Sequence, residues 1–288
     1  MPLNHACLGK SYPAQRTMVT REAIEKFARA CNDPNPRYLD CNSPGGIIAP
    51  PLFSSVVSWT AVIGAMTDAD LGADLLRLLH VAQDMEFFAP IVPGDVITAA
   101  ARITAIEPAT SGEIVALSIN LCDQSVRETG RVIFTALIRG GRNRSASSGG
   151  DRDRSAPAHA GEALVNVAQT VDTDQTIRYA EASGDYNPIH LDANVAKMAG
   201  LPGIVVHGLC TMALTAKVLV DELAGGDSTR LKRIAVRFSR PVFPGDTIRT
   251  KVWSAAANGR DGRRIYSYET LNGQGRSVIR DGIAEIAP

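Results

Sequence analysis

Asp185, Asn187, His190 and the pair His207-Gly208 are the residues of this chain whose types and spacing can do chemistry together. They stand in Gly184-Asp185-Tyr186-Asn187-Pro188-Ile189-His190, and His207-Gly208 follows seventeen residues after His190, opening a long apolar run. A carboxylate and an imidazole five residues apart on a tight Asn-Pro turn can face one water molecule and share its proton. Asn187 can hold that turn through its side chain or bind the same water. Gly208 begins a helix, where backbone N–H groups lack partners and the dipole is positive, so its amide is a candidate donor to a developing oxyanion. A glycine there also lets a substrate approach the backbone closely. His207 reads as a structural hydrogen-bonding group beside it. Asp-x-Asn-Pro alone is only a good turn; His190 and His207-Gly208 are what raise it above one.

A degraded copy of the same pattern lies upstream, in Asp33-Pro34-Asn35-Pro36-Arg37-Tyr38. Tyr38 stands where His190 would be, and a tyrosine with an ordinary pKa of about 10 is a poor base at neutral pH. Pro50-Pro51 stands where His207-Gly208 would be, and proline has no N–H to give an oxyanion. Pro93-Gly94-Asp95 repeats as Pro244-Gly245-Asp246 at an offset of 151, beside the offset of 152 between the two Asp-x-Asn-Pro turns. Two matches in the same order at nearly the same spacing read as an internal duplication with one surviving centre. Residues 140–161 contain no large apolar side chain and read as a flexible linker. The expected organisation is therefore a degenerate unit over 1–139, the linker, and a catalytic unit over 162–288.

Each half has the same order of elements. A short helix comes first, with Thr20 or Thr173 as its N-cap. The Asp-x-Asn-Pro turn follows, then a mostly apolar helix over Pro51 to about Met66, or Gly208 to about Leu223. Strands are expected near 81–88, 96–107, 113–122 and 131–139, and near 231–238, 247–257, 263–272 and 277–286. A helix apolar nearly all round must be covered on most sides, and a curved antiparallel sheet wrapped around it does that. The segment between Asp40 and Pro50 is five residues shorter than its counterpart between Asp192 and His207, which removes covering material beside the first helix.

The chain has 288 residues, 45% of them hydrophobic, with 30 basic and 30 acidic side chains. Zero net charge argues against binding nucleic acid by bulk phosphate neutralisation. Five scattered cysteines, none in a Cys-x-x-Cys pair, read as free thiols of a reducing compartment, and with no signal or membrane-span pattern the expected setting is the cytoplasm. No metal-site spacing and no dinucleotide or P-loop glycine pattern is present, so no metal or redox cofactor is expected. Arg230, Lys232, Arg233, Arg237 and Arg240 form the densest basic stretch within a folded unit; they read as a solvated strand face or as contacts to substrate phosphates, with Arg237 and Arg240 the chosen candidates.

The Gly184-Asp185-x-Asn187-Pro188-x-His190 core, with His207-Gly208 and the Pro244-Gly245-Asp246 turn, resembles the MaoC-like dehydratases, which include the (R)-specific enoyl-CoA hydratases. The first half, with His80-x-x-Gln83, resembles the degenerate unit of their double hot-dog members. The resemblance implies an α+β double hot-dog fold. It also implies reversible addition of water to trans-2-enoyl thioesters, with CoA as part of the substrate and no further cofactor. Asp185 is the expected principal base, His190 its water-orienting partner, Gly208 the oxyanion donor, and His207, Arg237 and Arg240 the further substrate-side residues. The double unit is expected to work as a monomer or a homodimer on acyl-CoA or acyl-carrier-protein substrates, the first half holding a long or bulky acyl chain. A thioesterase and a non-catalytic acyl-thioester-binding subunit are the rival readings.

Overall fold

The computed structural model describes residues 2–140 and 161–288. All but the end residues of the expected linker therefore lie outside the described residues. The first half runs β1 (Gln15–Met18), α1 (Arg21–Ala30), α2 (Pro36–Leu39), α3 (Phe53–Met66), β2 (Leu78–Phe87), β3 (Val96–Ala109), β4 (Gly112–Cys122) and β5 (Glu128–Arg139). The second runs β6 (Val165–Thr170), α4 (Gln175–Ser183), a 3-10 turn Pro188–His190, α5 (Ala193–Met198), α6 (Gly208–Ala224), β7 (Leu231–Phe238), β8 (Thr247–Asn258), β9 (Arg264–Leu271) and β10 (Ser277–Ile286).

The ten strands form one antiparallel sheet in the order β1-β3-β4-β5-β2-β7-β10-β9-β8-β6. Each half contributes the same internal order, and the halves join where β2 pairs with β7, from Ala82 opposite Arg237 to Glu86 opposite Arg233. An antiparallel seam between like strands relates the halves by an internal two-fold. The apolar helices α3 and α6 lie against the sheet of their own half, and α1 packs on α4 across the two-fold. Phe53, Val57, Ala61 and Ala65 of α3 and Cys210, Leu214 and Val218 of α6 are buried, so each sheet wraps a helix that is apolar on most sides. Arg233 closes the seam by donating two bonds to Asp84, at 2.9 and 2.7 Å, and one to Glu285 at 3.3 Å.

The repeated Pro-Gly-Asp motif has a local cause. Asp95 Oδ2 accepts the Val92 N–H at 2.9 Å, and Asp246 Oδ2 accepts the Phe243 N–H at 2.8 Å. Gly94 and Gly245 sit at φ of 92° and 88°, a left-handed conformation that glycine enters freely. Their own N–H groups bond to Val19 and Val171, tying each turn to the end of the first strand of its half.

Three expectations shift. The strands β1 and β6 are additional to those read from sequence; four and six residues long, they are edge strands held by pairing to β3 and β8. Thr20 caps α1 through the Ala23 N–H, but the second helix starts after Asp174, one residue beyond Thr173, because Asp172 and Asp174 carbonyls already close its first turns. The apolar helix of the first half begins at Phe53, since Pro50 and Pro51 form a preceding turn. The length difference before α3 is also resolved: the second half carries α5, and residues 41–50 hold no helix.

Candidate active site

Gly184 ends α4 in the left-handed conformation, φ 77°, its N–H bonded to Ala180, and this turns the chain so that Asp185 leaves the helix end. The Asp185 carboxylate accepts the Asn187 N–H at 3.2 Å, and Asn187 Oδ1 in turn accepts the Ile189 N–H at 3.3 Å. Asn187 thus caps the 3-10 turn that carries His190 and is itself exposed. Pro188 at the first position of that turn fixes φ where no N–H is needed.

His190 is buried, and its Nδ1 lies 2.8 Å from the Val205 carbonyl. A carbonyl only accepts, so Nδ1 carries the hydrogen and Nε2 keeps its lone pair. His207 Nε2 donates likewise to the Asp185 main-chain carbonyl at 3.0 Å. The two imidazoles stack with ring centroids 3.8 Å apart, and Tyr179 closes the other side of His207 at 4.9 Å. One ligand atom each from Asp185, His190 and His207 falls within 4.8 Å of the others. Each histidine donates one ring N–H to a carbonyl and keeps a lone pair on its other ring nitrogen. The three groups are close enough to share one water molecule and its proton.

Burial sets the charge states. It raises the Asp185 pKa, against the opposing pull of His190 and the Asn187 N–H. It lowers His190, and it pushes His207 down to about 3. At neutral pH both imidazoles are neutral, and burial makes the Asp185 carboxyl more basic than an ordinary aspartate.

Gly208 is the first residue of α6, so its N–H has no acceptor within the helix. The Phe238 ring backs it: a Cβ at 208 would meet ring atoms at 3.2 to 3.4 Å. The structure thus brings Asp185, His190 and His207 together, with Asn187 bracing the turn and Gly208 next in chain to His207. Arg237 stays apart, exposed on the side of β7 opposite to buried Ile234 and Val236. Arg240 lies in the loop after β7, where its Nη1 donates to the Ser277 carbonyl at 3.3 Å. Of the other basic residues, Arg230 donates to the Ala224 and Ala287 carbonyls and Arg233 serves the seam. Tyr179, Phe238, the Val205 carbonyl and Trp59, whose ring stands beside Gly184, escape the sequence reading. Their contacts come from elements distant in the chain.

In the first half the same positions make no acid–base pair. Tyr38 is fully buried and its pKa is driven far up by burial. Asp33, raised to about 6 by burial, accepts the Asn35 N–H. A cleft of about 450 Å³, open to solvent, lies beside Pro50, Pro51, Phe87, Phe88 and Lys232. It is the two-fold counterpart of the space before His207, Gly208 and Phe238, without the acid or the histidines.

Fold and site together define a double hot-dog hydro-lyase. Residues 155–274 match the MaoC-like domain model, and residues 6–136 match the FAS1-like dehydratase domain region. The chain is 30% identical over 225 residues, 75% of its length and 72% of the relative's, to a probable enoyl-CoA hydratase 2 of Dictyostelium discoideum. It superposes on a MaoC-like dehydratase from Phytophthora capsici with a TM-score of 0.83, at 22% identity, covering 99% of this chain and 98% of that one. A Mycobacterium tuberculosis protein described as having a double hot-dog fold matches at a TM-score of 0.68 and 12% identity, over 97% and 96% of the two chains. The chain belongs to the MaoC-like dehydratase family.

Proposed function

We propose that this protein is an (R)-specific 2-enoyl-CoA hydratase, reversible as a 3-hydroxyacyl-CoA dehydratase. The observation that carries the reading is the His190 tautomer: Nδ1–H is held by the Val205 carbonyl, which leaves the Nε2 lone pair free beside the half-buried Asp185 carboxylate. Asp185 is the principal base. It takes a proton from water that His190 Nε2 orients, the oxygen bonds to C3, and charge gathers on the thioester oxygen at the Gly208 N–H. The pair returns the proton at C2 and ends in its starting state. Dehydration runs the same steps backwards. The residues supply acid, base and oxyanion donor by themselves, so the proposal needs no metal or redox cofactor. His207 braces the site by tying the Asp185 main chain to the start of α6. The (R) stereochemistry rests on the family resemblance, the CoA carrier is supported by relatives named enoyl-CoA hydratases, and Arg240 is the phosphate-side candidate.

The first half, over 1–139, holds the acyl chain in this reading. Support comes from the missing counterpart of α5, which leaves space beside α3, and this favours medium-to-long or bulky chains. One chain already pairs two units, so a monomer or a homodimer suffices, and the free cysteines suit the cytoplasm.

The test is hydration of trans-2-enoyl-CoAs from four to sixteen carbons, with product chirality read. Asp185→Asn and His190→Ala are each expected to lower kcat by about 10²- to 10⁴-fold, while Tyr38→Phe keeps it. Full activity in Asp185→Asn would sink the assignment. Activity only on acyl-carrier-protein esters would move the carrier, and acyl-CoA binding without turnover on any thioester would make the chain a binding subunit.

A further inference from the structure

Trp59 belongs to α3 of the first half, yet it stands beside the turn that carries Asp185 in the second. Its Cδ1 lies 3.8 Å from the position a Cβ on Gly184 would take, one residue before Asp185. The internal two-fold gives the same answer independently. On α6, Ala213, Ala216, Lys217 and Val220 line a small cavity with Asp33, Tyr38, Pro50 and Pro51, the degenerate centre of the first half. The offset of 157 that relates Pro50-Pro51 to His207-Gly208 maps that stripe onto Val56, Trp59, Thr60 and Ile63 of α3. This stripe therefore faces the catalytic centre. It is also the uncovered face of an otherwise buried helix: Val56 and Trp59 are half-buried and Ile63 is 39% exposed. An open apolar strip beside a half-buried acid is where an apolar ligand gains by covering it.

Within the stripe, position 59 differs most. The counterpart of Trp59 is Ala216, so an indole fills volume at the active centre where the degenerate centre has a methyl group. The indole N–H makes no hydrogen bond among the described residues. We propose that Trp59 is a specificity-determining residue: a flat wall beside Asp185 that admits thioesters unbranched at the reacting carbons and excludes those with a methyl group at C2. The inference rests on the hydratase reading above.

The chain has two tryptophans, Trp59 and Trp253. Trp253 lies on β8, where its Nε1–H donates to Gly161, so Trp253→Phe leaves Trp59 as the one indole reporter in the full-length protein. The experiment compares kcat/KM for trans-2-octenoyl-CoA and its 2-methyl counterpart in that background, with Trp59→Ala and Trp59→Phe. Trp59→Ala is expected to raise the branched-to-straight ratio about tenfold or more, the size of a one-methyl discrimination in an apolar pocket. Trp59→Phe, which keeps the wall and loses the N–H, is expected to keep the parent ratio. An unchanged ratio in Trp59→Ala overturns the proposal. In parallel, titrating the Trp253→Phe protein with saturated octanoyl-CoA is expected to change Trp59 emission saturably, and an unaltered emission under saturating ligand also overturns it. That titration needs no turnover. If neither enoyl-CoA is hydrated, the hydratase reading fails while the emission still tells whether Trp59 faces the acyl thioester.

Discussion

The chemistry of this site depends on where two protons sit. The Val205 carbonyl holds one on His190 Nδ1, and burial decides how readily Asp185 holds the other. The carboxylate must be ionised to act as a base, so kcat/KM is expected to fall on acidification. The midpoint should lie above the ordinary aspartate value of about 3.9, because burial raises the Asp185 pKa; a midpoint at or below 4 would count against Asp185 as the base. The retired carboxyl in the first half makes a separate prediction. Asp33 is raised from 3.8 to about 6 in the folded state. The folded protein thus binds this proton more tightly than the unfolded chain, and stability is lost as pH rises through that window. Asp33→Asn keeps an acceptor for the Asn35 N–H and removes the buried charge. It is expected to raise stability by up to about 3 kcal/mol above pH 6, with the gain vanishing near pH 4, as chemical denaturation at both pH values would show. Asp33 was legible in the sequence as a turn former; its burial against α6 was not.

At the scale of elements, the start of α6 and the turn that faces it make the centre. Helix α6 delivers His207 as its N-cap and Gly208 as its first residue, so in the proposed reaction one helix start supplies both the brace and the oxyanion donor. Gly208→Ala leaves the N–H in place but sets a methyl group 3.2 Å from the Phe238 ring. The ring must shift or the helix start must tilt, and either displaces the donor. We expect kcat to drop by about 10²-fold with the melting temperature changed little, a split that steady-state kinetics and thermal unfolding would read together. The helices α1, α3, α4 and α6 were legible from their caps and apolar runs, and the Asp-x-Asn-Pro turn and both Pro-Gly-Asp turns from local chemistry: a proline φ, a glycine at positive φ, an aspartate closing its own turn; the short helices α2 and α5 were not read. The short edge strands β1 and β6 were not, since four to six residues carry little period of their own and are strands only by pairing with β3 and β8.

For the whole molecule, the two halves form one sheet, and their buried histidines govern its acid stability. His80 is pushed down to about 4 and His207 to about 3, and His190 is lowered as well, all mainly by burial. Below the unfolded value of about 6.5 the unfolded chain takes up these protons and the folded one does not, so stability falls as pH falls. Asp33, raised to about 6, works in the opposite direction, but between pH 7.5 and 5 it titrates over a narrower span than His80 and His207, which stay neutral down to about 4 and about 3. The urea midpoint is therefore expected to be lower at pH 5 than at pH 7.5, and a rise on acidification would show that the imidazoles are charged in the folded state. His80 also shows how the halves share work: it comes from β2 of the first half, and its ring lies 4.9 Å from Phe238, the residue that backs Gly208.

The sequence by itself determined that there are two like units, that only the second keeps a carboxylate, an imidazole and an amide donor, and which turns present them. Each of these is a matter of residue type and short spacing. The tertiary structure alone decided which His190 nitrogen is free, that burial raises Asp185 and Asp33, that Arg237 lies on the exposed side of β7, and that Trp59 of one half stands beside Gly184 of the other. Those depend on the Val205 carbonyl fifteen residues away, on the pleat of β7, and on the β2–β7 seam that joins the halves. Contacts set by packing across a two-fold leave no period or motif in the chain.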